Sequence, residues 1–256
     1  MIKLFKIVAF ALFLFLLLFE KTVYAMHITE GILPPAWAFL WFAVSLPFVG
    51  IGIYFIKQKK KATPGFLPMV GMLGAAVFVF SCFPIPVIAL NGMATSHPCG
   101  TGMSAILLGP FVSVVVAAIA LLIQALFLAH GGLTTLGGNI FSMGILGSFS
   151  GYFLFKIAQR CGLKLFWCGF LAGVVSDLCT YLGTSIELGL LVLNKGDSFF
   201  MATAEIFGVF LLTSQGILCV IEGIVVGFVI VFVYKRKPGI LVNLGVTKDE
   251  PEAIKT

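Results

Sequence analysis

Charge is missing from long stretches of this chain, and that absence limits what it can fold into. Ala36 to Ile56, Phe66 to Leu90, Pro110 to Ala129 and Asn139 to Phe155 carry no charged residue, and Leu165 to Leu193 and Ile206 to Tyr234 carry only isolated acids. A helix crossing a bilayer needs about 17–25 mainly apolar residues. Hydrocarbon offers the backbone no hydrogen-bond partners, so such runs must satisfy themselves as helices. Of the 256 residues, 60% are hydrophobic and 10% are charged, where a soluble domain carries about 25% charged residues. The expectation is an all-α polytopic protein of the lipid membrane. The net charge of +6 is spread in short runs between the spans, where it orients helices, so nucleic acid is not a partner. No P-loop and no internal repeat is present.

The basic runs also set the topology. With the first long span starting outside, six crossings leave Lys235-Arg236-Lys237 outside, together with Lys156, Arg160 and Lys164. That contradicts the positive-inside rule. One more crossing between Leu90 and Pro110 repairs both violations. The candidate is Thr101 to Gly109, too short to span alone, as a broken or short helix whose upstream loop folds into the outer face. The expected arrangement has about seven transmembrane helices, N-terminus outside and C-terminus cytoplasmic.

The N-terminus has the pattern of a secretory signal: Lys3 and Lys6, the apolar run Ile7 to Phe19, and Val23-x-Ala25 at the positions a signal peptidase reads. The predicted division is residues 1–25 as signal peptide, 26–245 as the membrane domain and 246–256 as a cytoplasmic tail. Cleavage after Ala25 makes Met26 the first residue and His27 the second. The freed amine of Met26, the backbone nitrogen of His27 and its imidazole then close fused rings on one metal ion. The alternative is an uncleaved first helix with His27 as an interfacial residue.

A second cluster is the loop Asn91 to Gly102, which contains Thr95-Ser96-His97-Pro98-Cys99-Gly100 and opens on the same side as Met26. His97 is a candidate fourth nitrogen. Imidazole suits nickel, copper, zinc and iron, a tetragonal nitrogen set favours nickel or copper, and cobalt sits just below nickel in affinity. Magnesium and calcium want oxygen ligands. Thr29, Glu30, Thr95 and Ser96 are candidates for orienting the imidazoles. Cys99, in the only wet segment among the six cysteines, offers a thiolate, and Asn139 opens the next span facing the same pocket. His130 is read as an interfacial polar residue of an external turn, with guiding ions inward as the alternative. Asp177, Glu187 and Glu222 lie inside apolar spans, where acids serve an ion pathway or helix packing. Their spacing forms no relay. Gly71, Gly74, Gly144, Gly147 and Gly151 have the small-xxx-small spacing of close helix contacts.

Met26-His27-Ile28-Thr29-Glu30-Gly31-Ile32-Leu33-Pro34, Thr95-Ser96-His97, Ala105 to Pro110, Leu121 to Leu126, Gly131-Gly132-Leu133-Thr134 and Gly137 to Phe141 together resemble the CbiM/NikM family. These are the substrate-binding membrane subunits of energy-coupling-factor ABC importers for cobalt and nickel. The resemblance is clear from Met26 to about Tyr152. It implies a multi-pass subunit of a bacterial or archaeal cell membrane, not an enzyme. It implies import of Co(II) for cobalamin biosynthesis, with Ni(II) as the alternative, and no prosthetic group. It implies Met26, His27 and His97 as the metal ligands. Its partners would be a transmembrane coupling subunit, a pair of cytoplasmic ATPases and, in some systems, a small accessory membrane subunit. Two departures stand out. His97 is followed by Pro98-Cys99-Gly100-Thr101-Gly102 where leucine and glycine are expected, and His130 stands where an acid is usual. The rival readings are a membrane-embedded enzyme, a stand-alone channel or carrier, and a scaffold.

Overall fold

The computed structural model describes residues 28, 30–82, 85–86, 95–128, 130–192 and 198–246. It is a bundle of apolar helices. These are α1 (Pro35–Ala62), α2 (Phe66–Ser81), α3 (Thr101–Leu108), α4 (Pro110–Phe127), α5 (Leu136–Arg160), α6 (Leu165–Val192), α7 (Phe199–Arg236) and α8 (Pro238–Asn243). Five of them, α1, α4, α5, α6 and α7, are long and apolar enough to cross a membrane. Among the described residues, an antiparallel bridge pairs β1 (Ile85–Pro86) with β2 (Thr95–Ser96).

Apolar bulk lies outside and polar groups lie inside. Phe39 is 76% exposed and Leu212 is 87% exposed, whereas Ser104, Ser113, Ser148, Ser176 and Asp177 are fully buried. This is the distribution that lipid imposes, since unsatisfied polar groups must turn inward. The segment expected as a short helix, Thr101 to Gly109, is α3, and every residue from Thr101 to Leu108 is buried. It sits against α4, α5 and α6. The expected second span is shorter than its apolar run: α2 stops at Ser81, before Pro84 and Pro86, because proline withholds a backbone donor and disfavours helix in the residue before it.

The basic runs gather at one end of the bundle. Lys59 donates to the Leu108 carbonyl at 2.6 Å, and Lys156 donates to the Gly245 carbonyl at 2.8 Å. Val246, expected to begin the tail, is buried there and accepts from Gln159 at 3.0 Å. The opposite end holds the start of α1 and the turn before α5. Ser45 donates to the Gly137 carbonyl there at 2.8 Å.

Close helix contact runs through glycines, though not all of the expected ones. Among the described residues nothing lies within 4 Å of a Cβ placed on Gly71 or Gly74, so their spacing has no packing role among those residues. Gly147 and Gly151 do meet α6, where Gly151 lies over Ser176. A close seam joins α6 to α7: a Cβ on Gly173 would lie 2.9 Å from Gly223 Cα, and one on Gly223 would lie 2.8 Å from the Phe170 carbonyl. Gly173→Val is therefore expected to destabilise the bundle by about 1–3 kcal/mol, the usual cost of overpacking. Gly71→Val should be near neutral. Melting temperatures of the two variants in nanodiscs test this, and equal values would refute it.

Candidate metal-capture site

The loop that follows β2 is held at three points by side chains from distant helices. Gln215 of α7 donates to the Ser96 hydroxyl at 2.8 Å. Tyr181 of α6 takes the His97 N–H at 2.7 Å and donates its own proton to the His97 carbonyl at 3.1 Å. Glu222 of α7 receives the N–H groups of Cys99 and Gly100 on its two oxygens, at 2.6 and 2.9 Å. Gly100 has φ of +70°, a left-handed turn that glycine adopts without Cβ strain. That turn carries the loop into α3 while both N–H groups stay on the carboxylate. Thr95 contributes backbone pairing with Pro86.

His97 is 1% exposed. Its Nδ1 lies 2.7 Å from the Pro98 carbonyl oxygen. A carbonyl only accepts, so Nδ1 carries the proton and Nε2 holds the lone pair. Burial drives the His97 pKa down to about 3, against the raising effect of the Pro98 carbonyl and with a further lowering by His130. The ring is therefore neutral at physiological pH, which is the form that binds metal.

His130 does not sit at an interface as expected. It is 5% exposed, and its ring centroid is 6.3 Å from that of His97. Burial lowers its pKa to about 4. The cause is local: its N–H donates to the Gln124 carbonyl at 3.2 Å, which folds the turn back over the end of α4.

The same turn holds the N-terminal segment. Ile28 is fully buried. Its N–H donates to Asn139 Oδ1 at 3.2 Å, and its carbonyl accepts from the Thr135 hydroxyl at 2.6 Å. Asn139 thus holds the backbone of the motif. Glu30 accepts the Thr134 N–H at 3.1 Å and lies directly over Gly132, where a Cβ would collide with it. Met26, His27 and Thr29 lie outside the described residues.

Cys99 is fully buried, contrary to the wet environment expected for it. Its Sγ and the carboxylates of Asp177 and Glu222 lie within 4.8 Å of one another. Sequence spacing gave no sign of this meeting, because Asp177 and Glu222 stand on different helices. The signal available was the presence of acids inside apolar spans. Tyr181 and Gln215 carried no signal at all.

Helix geometry helps to aim these groups. Residues Ile140–Gly147 of α5 and Leu211–Gln215 of α7 are π-helical. Asn139 immediately precedes the first π segment and Gln215 ends the second. Such insertions are frequent at functional sites.

The family model described as "CbiM: Cobalt uptake substrate-specific transmembrane region" matches residues 27–240. The chain belongs to this family. The family is a transporter component and not an enzyme, and the five long apolar helices fit a multi-pass membrane protein. Among relatives, the cobalt transport protein CbiM of Geobacter sulfurreducens is 45% identical over 230 residues, covering 90% of this chain and 65% of that protein. The chain thus spans slightly less than two thirds of the Geobacter protein. The CbiM of Sorangium cellulosum is 44% identical over 230 residues, covering 89% of this chain and all of that protein. The solved structure of a truncated transition metal transporter is similar over 82% of this chain and 99% of its own, with a TM-score of 0.71 and 25% identity. A second transition metal transporter structure has a TM-score of 0.70 and 26% identity, over 82% of this chain and 93% of its own.

Proposed function

We propose that this chain captures Co(II) outside the membrane and delivers it to an energy-coupling-factor ABC importer that feeds cobalamin synthesis. The ion binds through the freed amine of Met26, the backbone and imidazole nitrogens of His27, and His97 Nε2. The observation that carries this reading is the turn 130–139. It fixes Ile28, the residue next to His27 in the chain, through Thr135 and Asn139, and it brings His130 beside the His97 ring. The turn thereby anchors the chain beside one half of the ligand set and borders His97, the other half, which supports bringing them onto one ion. The neutral, oriented His97 imidazole fits a late first-row dication.

Seven crossings, with the His97 end outside and the lysine end in the cytoplasm, agree with the positive-inside rule once α2 and α3 are counted. The lysine end then faces the partners: a transmembrane coupling subunit, the ATPases and, where present, a small accessory membrane subunit. Ni(II) is the second reading, favoured by the four-nitrogen donor set itself.

The test is the metal content of the purified protein after loading with equal Co(II) and Ni(II), beside a variant with one extra residue before Met26. Stoichiometric metal in the first and little in the second is expected, and the ratio of the ions names the substrate. Equal loading of both forms, or none in either, would overturn the chelate.

A further inference from the structure

Glu222 and Asp177 are both buried acids, but only one has a structural occupation. Glu222 holds the loop through two N–H groups. Asp177 on α6 is fully buried, and its oxygens make no hydrogen bond of regular geometry, facing instead the Cys99 thiol and the Glu222 carboxylate. A buried carboxylate left unsatisfied is costly in hydrocarbon and calls for an explanation beyond packing. Its surroundings supply one, since Asp177, Glu222 and Cys99 each offer a donor atom and these lie within 4.8 Å of one another.

We propose that Cys99 Sγ and the carboxylates of Asp177 and Glu222 form a second transition-metal site, deeper in the bundle than His97, through which the captured ion passes. Tyr181, which anchors His97, stands four residues from Asp177 on α6, so the step along the helix is about 6 Å. It runs toward the end that bears Lys164. A sulfur with carboxylate oxygens suits a late first-row dication and does not suit magnesium or calcium. Metal–sulfur and metal–oxygen bonds of about 2.0–2.3 Å place opposed donors about 4.4 Å apart, so small side-chain rotations bring all three onto one ion. The thiolate and one carboxylate balance the ion's charge inside the membrane, and the other carboxyl stays protonated.

The site also bears on the loop. Glu222 cannot turn fully toward an ion and still hold the N–H groups of Cys99 and Gly100. An ion arriving there competes for the carboxylate that keeps the His97 loop in place, so the outer site loosens as the inner one fills. Buried hydroxyls continue beyond the site. Ser176, next to Asp177, donates to the Gly147 carbonyl at 2.8 Å and meets Thr101 at 3.3 Å, and Ser113 accepts from Ser148 at 2.8 Å.

This inference rests on the import reading above, and the test separates the two. Co(II) alone is titrated into the full-length protein purified from membranes, in a Cys161→Ser background that removes the exposed cysteine. A near-ultraviolet thiolate-to-cobalt charge-transfer band is expected with the second equivalent, and Cys99→Ser should abolish it. Asp177→Asn should weaken the second equivalent by at least about tenfold, in line with losing a group at a metal site. The variant extended before Met26 loses the first equivalent and keeps the band, so failure of the outer chelate leaves the inner site readable. No band in the unsubstituted protein at saturating cobalt, or a band that survives Cys99→Ser, overturns the proposal. If Cys99→Ser does not fold, the near-isosteric Asp177→Asn decides: an unchanged second equivalent overturns it.

Discussion

His97→Ala is expected to weaken first-equivalent cobalt binding by more than about 100-fold while leaving the bundle folded. Loss of a group that merely orients a ligand costs about 10–100-fold in metal affinity, and loss of a ligand should cost more. The fold should survive because Tyr181 holds the loop through the His97 N–H and carbonyl, which alanine also supplies. The small cavity left by the ring lies at the site and not in the α6–α7 seam. Equilibrium dialysis against Co(II), with melting temperature as the control, reads both quantities. Affinity within threefold of the unsubstituted protein would mean that the ion is captured elsewhere.

Glu222→Ala is expected to lower both stability and capture, although the side chain lies on a different helix from every proposed outer ligand. It would orphan two buried N–H groups, those of Cys99 and Gly100, at about 1–3 kcal/mol each. For a chain of this size that corresponds to a fall of several degrees in melting temperature. The loop would lose its anchor two residues from His97, and first-equivalent affinity should fall about tenfold or more, the scale of lost ligand orientation. Glu222→Gln keeps one acceptor oxygen and turns a donor toward the other N–H, so it should lie between. Unchanged cobalt affinity in Glu222→Ala would show that His97 is positioned without this carboxylate.

The helices were largely readable because lipid writes them into composition: runs free of charge give α1, α4 and α5 directly. Even α3, invisible to hydropathy, followed from the need to put Lys235 and its neighbours on the proper side. The end of α2 was harder. The apolar run continues to Leu90, but Pro84 and Pro86 end the helix before the hydrophobicity ends. Around the candidate site, Asn139, Glu30, Ser96 and His97 could be singled out because each falls inside a motif; the structure gives each a hydrogen-bonded place.

What escaped the sequence depends on contacts between helices. His130 looked like a surface turn because nothing local shows that its N–H is taken by Gln124. Asp177 and Glu222 could be read as unusual, but not as neighbours, since their meeting depends on how α6 and α7 cross at Gly173 and Gly223. Gly71 and Gly74 had the right spacing for a helix contact, but no described helix packs against them. Spacing describes a face and does not say what covers it.

The π segment at the middle of α7 has a mechanical consequence. An α-helix advances 1.5 Å and turns about 100° per residue, so a π segment stores one residue of register. Relaxing Leu211–Gln215 to α geometry would swing Gln215 off Ser96 while Glu222, on the far side of the segment, kept its place on Cys99. The helix thus acts as a clutch: one grip on the histidine loop can slip by a single residue while the other still holds.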